Sequence, residues 1–192
     1  MLQMNYWTDK WDLHEDVCPC DVHFNEWVAE QKLTGKAIYH FGTGTHHVIG
    51  REQAENGTGN TVLAITASIE EYESYIKLVS ENSRVGRNYL AYFGDIYLTN
   101  PKLLPEQFDV VTMFHICEFF FPNTASAEYG GLTDLKVANL FTDKIRPGGH
   151  ILFYTRSMAF DKTRELLPQW EKARPVERVG EFKTLLVYRK KG

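Results

Sequence analysis

The sequence has few cysteines, no long apolar run and no excess of basic residues, and each absence excludes a class of protein. Three cysteines among 192 residues, two of them in Cys18-Pro19-Cys20, are too few for a disulfide framework and suit reduced thiols. No apolar run approaches the roughly 18 residues of a membrane-spanning helix, and the aromatic, charged N-terminus lacks the core of a signal peptide. We therefore expect a cytoplasmic protein with no membrane partner.

Length, composition and charge are those of a folded protein with a single core. The 192 residues are 43% hydrophobic and 24% charged. The formal net charge is −4, and the only basic cluster is Arg189-Lys190-Lys191. General nucleic-acid binding needs a basic face for the phosphates, so we expect none.

A glycine turn after an apolar stretch is the feature around which the chain is organised. The stretch from Ala37 is predicted to be a buried strand that runs into Gly42-Thr43-Gly44, with a helix from about Thr45 to Asn56. Gly42 can adopt the positive φ of a sharp reversal, and Gly44 lets backbone N–H groups approach a nucleotide. The helix that follows would direct its N-terminal dipole at the same place.

Apolar periodicity predicts strands and helices in alternation along the chain. The later predicted strands are Thr61–Thr66, Tyr89–Phe93, Phe108–Phe114, His150–Thr155, Val176–Val179 and Phe182–Tyr188. The other predicted helices run from an Asp21 N-cap to a stop at Gly35, from Ser68 onward, from Thr133 to Ile145, and through Phe160 to Trp170. Pro101 and Pro105 indicate a loop with at most a short helix.

The helix predicted to start at Ser68 carries two local signals. Ser68 and Glu71 have the spacing of a capping box, in which each side chain satisfies a backbone N–H group of the other residue. An apolar stripe at helical spacing is expected to face the core. Its members are Ile69, Tyr72, Ile76 and Val79.

This alternation predicts an α/β fold of the Rossmann-like, doubly wound type. We expect a seven-stranded, mostly parallel sheet that ends in an antiparallel hairpin, with Phe182–Tyr188 inserted beside Ile151–Tyr154. The ligand crevice of such a sheet lies beyond the carboxyl ends of its strands. We divide the chain into a helical and aromatic lid segment, residues 1–35, and a main domain, residues 36–192.

Four short motifs follow one another in a fixed order. They are Gly42-Thr43-Gly44, Gly94-Asp95-Ile96, Phe108-Asp109-Val110-Val111 followed by His115 and Glu118, and Arg146-Pro147-Gly148-Gly149. Together with the terminal hairpin, they resemble the class I S-adenosylmethionine-dependent methyltransferases, over about residues 36–192. Nicotinamide-cofactor Rossmann proteins, the nearest alternative, are not expected to have the Pro-Gly-Gly strand entry or the hairpin.

The resemblance implies S-adenosylmethionine as cofactor and S-adenosylhomocysteine as product. The cofactor-binding residues would be His40, Gly42, Thr43, Gly44, Thr66, Asp95, Ile96 and His115. Asp95 would accept a hydrogen bond from the adenine amino group. Three positions depart from the family: Thr66 and His40 stand where acidic residues are usual, and His46 stands where a third glycine is usual.

The resemblance also implies methyl transfer to a small-molecule acceptor. His115 and Glu118 are the candidate catalytic residues, because a phenol or amine acceptor would have to lose a proton; a carboxylate acceptor would need no base. There are two structural alternatives: His115 packs against the cofactor, and Glu118 caps a short turn. Aromatic residues outside the regular pattern are expected to form the acceptor pocket: Tyr6, Trp7, Trp11, Phe119 and Tyr129.

Two alternatives to this interpretation stay open. The same aromatic residues could form a homodimer interface or a surface for a protein partner, and the altered motif positions would suit a catalytically silent methyltransferase-like subunit. The N-terminal segment also contains four soft metal ligands, but Cys-x-Cys with a central proline is not the usual zinc spacing. We therefore assign no metal ligand and interpret them as thiols and surface histidines: His14, Cys18, Cys20 and His23.

Overall fold

A computed structural model describes residues 4–120 and 131–192, which form one sheet with helices on both faces. The strands are β1 (Ala37–Phe41), β2 (Thr61–Thr66), β3 (Tyr89–Phe93), β4 (Phe108–Thr112), β5 (Ile145–Tyr154), β6 (Val176–Phe182) and β7 (Leu185–Lys190). The helices are α1 (Cys20–Glu30), α2 (Val48–Glu55), α3 (Ile69–Glu81), α4 (Val85–Asn88), α5 (Asp134–Asp143) and α6 (Phe160–Ala173).

The sheet has seven strands in the order β3-β2-β1-β4-β5-β7-β6. The first five pair in parallel. Strand β7 runs antiparallel between β5 and β6, with Ile151 opposite Tyr188 and Tyr154 opposite Leu185. The predicted doubly wound, mostly parallel sheet with a C-terminal hairpin is confirmed.

Alternate residues of each central strand face two separate hydrophobic clusters. Ile38 and Leu152 point into one cluster, where Phe24 of α1 and Tyr75 of α3 pack. The neighbouring residues on β1 and β5 point into the other, which includes Trp170 of α6. Side chains of this size contribute about 1.5–3 kcal/mol each when fully buried. Because α1 belongs to the core, residues 20–30 are part of the same packed unit as the sheet, and the lid role of segment 1–35 stays a prediction.

Helix α1 differs from the prediction at both ends. It begins at Cys20 with Pro19 as the N-cap residue, and it ends at Glu30, before Gly35. Proline suits this place because it has no N–H to satisfy and its φ of −81° leads into the helix. Asp21 was therefore wrongly predicted as the N-cap, and instead lies in the first turn with its side chain buried.

Helix α2 begins at Val48 rather than near Thr45. The connection from the glycine turn extends through His47, whose φ of 48° is left-handed. A residue with left-handed backbone angles cannot belong to a right-handed α-helix, so the helix starts after His47. The imidazole of His47 is buried and bonded to the hydroxyl of Tyr89 at 2.7 Å.

Helix α3 has the predicted N-cap but a partly different buried face. Ser68 Oγ accepts the N–H of Glu71 at 3.4 Å, as a cap should. Of the predicted stripe, Tyr72 and Val79 pack against the core, whereas Ile69 and Ile76 are 38% and 48% exposed. Tyr75 is buried in their place, and its hydroxyl donates to the carbonyl oxygen of Tyr89 at 3.3 Å.

Strand β5 is longer than predicted and starts at Ile145. Gly149 allows this, because a methyl group there would stand 2.6 Å from the carbonyl oxygen of Asp109 on β4.

Strand β4 ends at Thr112, two residues before the predicted Phe114. The loop with Pro101 contains two 3₁₀ turns, and α4 was not predicted. In the described part of the chain, no helix combines the length and the apolar character needed to cross a bilayer.

Candidate functional site

The glycine turn lies at the carboxyl end of β1, between the ends of β2 and β4. Gly42 and Gly44 have φ values of +90° and +55°, which favour glycine. A methyl group on Gly44 would stand 2.3 Å from His46 Nε2, and one on Gly42 would stand 3.0 Å from His115 Cδ2. The space that the glycines leave free is therefore lined by two imidazoles.

A carboxylate stands at the end of β2, although the sequence has threonine at that position. Glu71 Oε2 accepts hydrogen bonds from Thr66 Oγ1 at 2.6 Å and from Thr43 Oγ1 at 3.1 Å. A capping box would also have the Glu71 carboxylate accept the N–H of Ser68. That N–H instead donates to Thr66 Oγ1 at 3.0 Å, so this part of the predicted capping box was wrong. The spacing of Ser68 and Glu71 was the available signal for this acid.

Asp95 lies directly after β3, at the same edge of the sheet. Its Oδ1 accepts the N–H of Tyr97 at 2.9 Å, which fixes the turn. Its Oδ2 is buried and lacks a hydrogen bond of good geometry within residues 4–120 and 131–192, although the backbone of Asn5 interacts with the carboxyl group. Burial raises the pKa of Asp95.

His115 and Glu118, the predicted catalytic residues, are hydrogen-bonded to each other. His115 Nδ1 is 3.2 Å from Glu118 Oε2, and Glu118 Oε1 accepts from Ser157 Oγ at 2.5 Å. Burial opposes protonation of the imidazole, but the hydrogen bond and charge of Glu118 raise the pKa of His115 to about 9. The pair is therefore held as an imidazolium and a carboxylate at neutral pH, and its role as a base stays a prediction.

Two of the predicted cofactor residues lie in the packed interior. His40 is 2% exposed, and its Nδ1 is 2.8 Å from Thr112 Oγ1. Burial holds the pKa of His40 well below its usual value, so this imidazole is neutral. Ile96 is 3% exposed and belongs to the core cluster under α5 and α6. Both side chains pack in the interior next to the glycine turn and Asp95, and their direct contact with a cofactor stays a prediction.

The N-terminal segment crosses the ends of β1 and β2. Trp7 N donates to the carbonyl oxygen of Ala67 at 2.9 Å, and Trp7 O accepts from Ile69 N at 3.2 Å. Further along, Trp11 O accepts from Thr45 N at 2.9 Å. The segment therefore lies over the crevice in which the cofactor is expected.

The predicted acceptor residues are only partly brought together. The rings of Trp7 and Phe119 meet edge to face with centroids 5.0 Å apart. Tyr6 and Trp11 are 53% and 44% exposed. Tyr129 lies outside the described residues. The structure thus places one aromatic pair at the crevice.

Two of the four soft ligands in the N-terminal segment approach the site. The thiols of Cys18 and Cys20 are 3.5 Å apart and face His115. His23 is held elsewhere, with Nδ1 2.8 Å from Thr184 Oγ1. Asp21 is buried beside Cys20, and that burial raises its pKa to about 7.

The fold is that of solved methyltransferases, although the sequence is far from theirs. No family model and no curated protein matches the chain. A methyltransferase from Pyrococcus furiosus has a TM-score of 0.58 and 15% identity, with 95% of this chain and 89% of that chain covered. The cyclase SpnF has a TM-score of 0.58 and 14% identity, with 93% and 64% covered. Coclaurine N-methyltransferase bound to N-methylheliamine and SAH has a TM-score of 0.51 and 14% identity, with 75% and 39% covered.

The chain therefore has the class I methyltransferase fold, in a divergent form. At these identities the similarity shows the fold alone, and a cyclase stands among the methyltransferases. The chain spans 64% of the length of SpnF and 39% of that of coclaurine N-methyltransferase. Activity, substrate and partner must be argued from the residues at the carboxyl edge of the sheet.

Proposed function

We propose that the protein binds S-adenosylmethionine at the carboxyl edge of its sheet and transfers the methyl group to a small-molecule acceptor. The observation that carries this proposal is the pair of buried carboxyl groups beside the glycine turn: Asp95 directly after β3, and Glu71, which Thr43 and Thr66 hold at the end of β2. A carboxylate oxygen can accept more than one hydrogen bond, so Asp95 can accept from a ligand in addition to its contacts with the backbones of Tyr97 and Asn5. The amino group of adenine is a suitable donor, and Asp95 follows β3, where the motif order predicts it.

Glu71 supplies the carboxylate for the ribose end of the cofactor. It lies beside Thr43 of the glycine turn and Thr66 at the end of β2, and both threonines donate to its Oε2. A carboxylate can accept from several donors at once, so the ribose hydroxyls can bond to it while the threonines keep it in place. The acid that the sequence lacks at Thr66 is thus provided from α3.

The methionine end would lie over the glycine turn, between His46 and His115. S-adenosylmethionine supplies an activated methyl group, and the remaining task of the protein is to align the acceptor and exclude water. Trp7 and Phe119 close this end of the crevice with apolar surface. Because His115 is an imidazolium at neutral pH, it can take a proton from a phenol or amine acceptor only after it has lost its own, whereas a carboxylate acceptor needs no base.

A second candidate function is a catalytically silent methyltransferase-like subunit that acts through a protein partner. Two observations favour it: the imidazole of His46 fills the space beside Gly44, and the backbone at Trp7 and Trp11 bonds across the crevice. A cofactor could enter only if this segment moved. The two functions differ in one simple property, which is whether the protein binds the cofactor at all.

Thermal melting of the purified protein with and without S-adenosylmethionine tests the proposal. A ligand at one hundred times its dissociation constant stabilises the native state by about 2.7 kcal/mol, so the midpoint should rise by several degrees. Gly44→Val should abolish this rise, because the branched side chain must displace His46 into the ligand space. Gly57→Val is the matched control, because Gly57 also has a positive φ but has open space around it.

The result that favours the silent subunit is equally clear. If millimolar S-adenosylmethionine and S-adenosylhomocysteine both leave the wild-type melting curve unmoved, the methyltransferase proposal falls. A rise that persists in Gly44→Val would show that the ligand binds away from the glycine turn. We propose the cytoplasm as the compartment, since Cys18, Cys20 and Cys117 are all free thiols.

A further inference from the structure

We propose that Cys18, Cys20 and His115 bind a zinc ion. One ligand atom from each of the three residues lies within 4.8 Å of the others, and two are thiol sulfurs 3.5 Å apart. Thiolate and imidazole are the ligands that zinc prefers, and tetrahedral zinc with sulfur at about 2.3 Å needs sulfurs roughly 3.8 Å apart. The sulfur spacing already present therefore suits the ion.

The fold brings these ligands together from two distant parts of the sequence. Cys18 and Cys20 flank Pro19 at the start of α1. His115 follows β4, and its imidazole also lines the space at Gly42. The N-terminal sequence by itself offers Cys18, Cys20, His14 and His23 as ligands. In the proposed site His115 replaces the two N-terminal histidines.

The imidazole of His115 is prepared for a metal on one nitrogen. Nδ1 is 3.2 Å from Glu118 Oε2, and Ser157 holds the other carboxylate oxygen. A hydrogen bond from one ring nitrogen to a carboxylate orients the ring and leaves Nε2 as the metal ligand, which is the usual second shell of a zinc histidine. The His115–Glu118 pair is present before the ion binds, and zinc would displace to solvent the Nε2 proton of the imidazolium together with any protons on the two thiols.

The surroundings of the two thiols hold more acidic groups than cationic ones. Asp21 Oδ1 is 3.5 Å from Cys20 Sγ, and its Oδ2 is 3.9 Å from His40 Nε2. His40 Nε2 is buried and has no hydrogen-bond partner among the residues that the structure describes. A divalent cation at the thiols would add positive charge beside Asp21, whose described ion-pair partners are the histidines His40 and His46 rather than a lysine or arginine.

Three protein ligands leave one position of tetrahedral zinc open. Structural zinc sites are closed by four protein ligands, whereas catalytic sites keep a position for water or substrate. The zinc site shares His115 with the methionine end of the proposed cofactor site, whereas Asp95 and Glu71, assigned to adenine and ribose, take no part in it. When zinc is bound, His115 cannot take a proton from an acceptor, so zinc binding and a base role for His115 exclude each other.

The test is a zinc titration of the reduced, metal-stripped full-length protein against a chromophoric chelator, without any cofactor. One ion per chain is expected. Cys18→Ser, Cys20→Ser and His115→Ala should each lose tight binding, and Glu118→Gln should weaken it by roughly 10-fold to 100-fold through loss of the second shell. Cobalt in place of zinc should give thiolate charge-transfer absorption that both cysteine variants lose.

Two control variants and one measurement without mutation complete the experiment. Cys117→Ser and His23→Gln change a cysteine and a histidine outside the cluster and should bind zinc as the wild type does. X-ray absorption of the zinc-loaded wild-type protein should show two sulfur neighbours and an imidazole. This measurement does not depend on whether the variants fold. No stoichiometric zinc in the wild type, a shell without sulfur, or unchanged affinity in Cys18→Ser and Cys20→Ser would overturn the proposal.

Discussion

Replacing Asp95 with asparagine changes one buried atom at the end of β3 and leaves its neighbours in place. Oδ1 of Asp95 accepts the N–H of Tyr97 at 2.9 Å, so the asparagine oxygen must take that position. The amide nitrogen must then take the position of Oδ2. The acceptor that we assign to the adenine amino group becomes a donor, and two donors face each other.

The expected loss is that of a hydrogen bond to a charged group, about 1.5–3 kcal/mol. S-adenosylhomocysteine should therefore bind roughly 10-fold to 150-fold more weakly. In the ligand-free protein two effects oppose each other, because the amide loses the interaction with the backbone of Asn5 but removes the cost of a buried charge. Burial raises the pKa of Asp95, so at neutral pH the charged carboxylate is less favourable in the folded than in the unfolded state. The neutral amide of the variant removes that cost.

Calorimetric titration and thermal melting of the same samples separate the loss of affinity from the change in stability. The wild type and Asp95→Asn are compared with Asp161→Asn, which removes an aspartate that is 86% exposed on α6. We expect the control to match the wild type in both measurements. Unchanged affinity in a folded Asp95→Asn protein would refute the assignment of the adenine site, and equal weakening in Asp161→Asn would show that the effect is not local.

Three further predictions concern other buried polar groups. Glu71→Gln should weaken S-adenosylhomocysteine binding by about 1 kcal/mol, because a charged acceptor becomes neutral. Burial lowers the pKa of His47 to about 4, so the unfolded chain binds more protons between pH 4 and 6.5, and His47 alone should lower the free energy of unfolding by roughly 3 kcal/mol as pH drops through that range, in addition to the effects of His40 and His46. His47→Asn, which tolerates the left-handed backbone, should flatten this dependence. Asp109→Asn should reduce the free energy of unfolding by roughly 1–3 kcal/mol and leave ligand affinity unchanged, because Asp109 accepts the Ala37 N–H at 2.8 Å and pairs with Arg146 at 3.1 Å.

Each of these predictions has a contradicting result. Full affinity in Glu71→Gln would remove Glu71 from the ribose site. Denaturant unfolding across pH measures the second prediction, and an equally steep decline in His47→Asn would assign the effect to another group. Loss of ligand affinity in a stable Asp109→Asn protein would show that Asp109 belongs to the binding site.

The sheet could be predicted from the sequence because its strands are separated by clear helical segments and turns. The predicted strands Val176–Val179 and Phe182–Tyr188 are too closely joined for a parallel crossover, so the hairpin could be predicted, although its turn lies later, between Phe182 and Leu185. The buried face of α3 could be predicted only in part. Tyr72 and Val79 face the core as predicted, but Tyr75 rather than Ile69 or Ile76 is buried with them, because its ring packs against Tyr89 of β3.

The candidate site could be predicted only where its residues follow strands directly. Gly42 and Asp95 each come at the end of a strand, so the sheet order places them at one edge. Glu71 could not be assigned there, because its spacing from Ser68 equally indicates a cap, and only the packing of α3 directs its carboxylate to the threonines. The contact of Cys18 with His115 depends on where α1 packs and has no local signal.

Binding of S-adenosylmethionine by this divergent methyltransferase fold can be measured directly by equilibrium dialysis. Radiolabelled S-adenosylmethionine is dialysed against the purified wild-type protein, with unlabelled S-adenosylhomocysteine as competitor. We expect saturable binding of one molecule per chain that the competitor displaces and that Asp95→Asn weakens. Absence of saturable binding at millimolar cofactor, with the protein folded, would contradict this expectation.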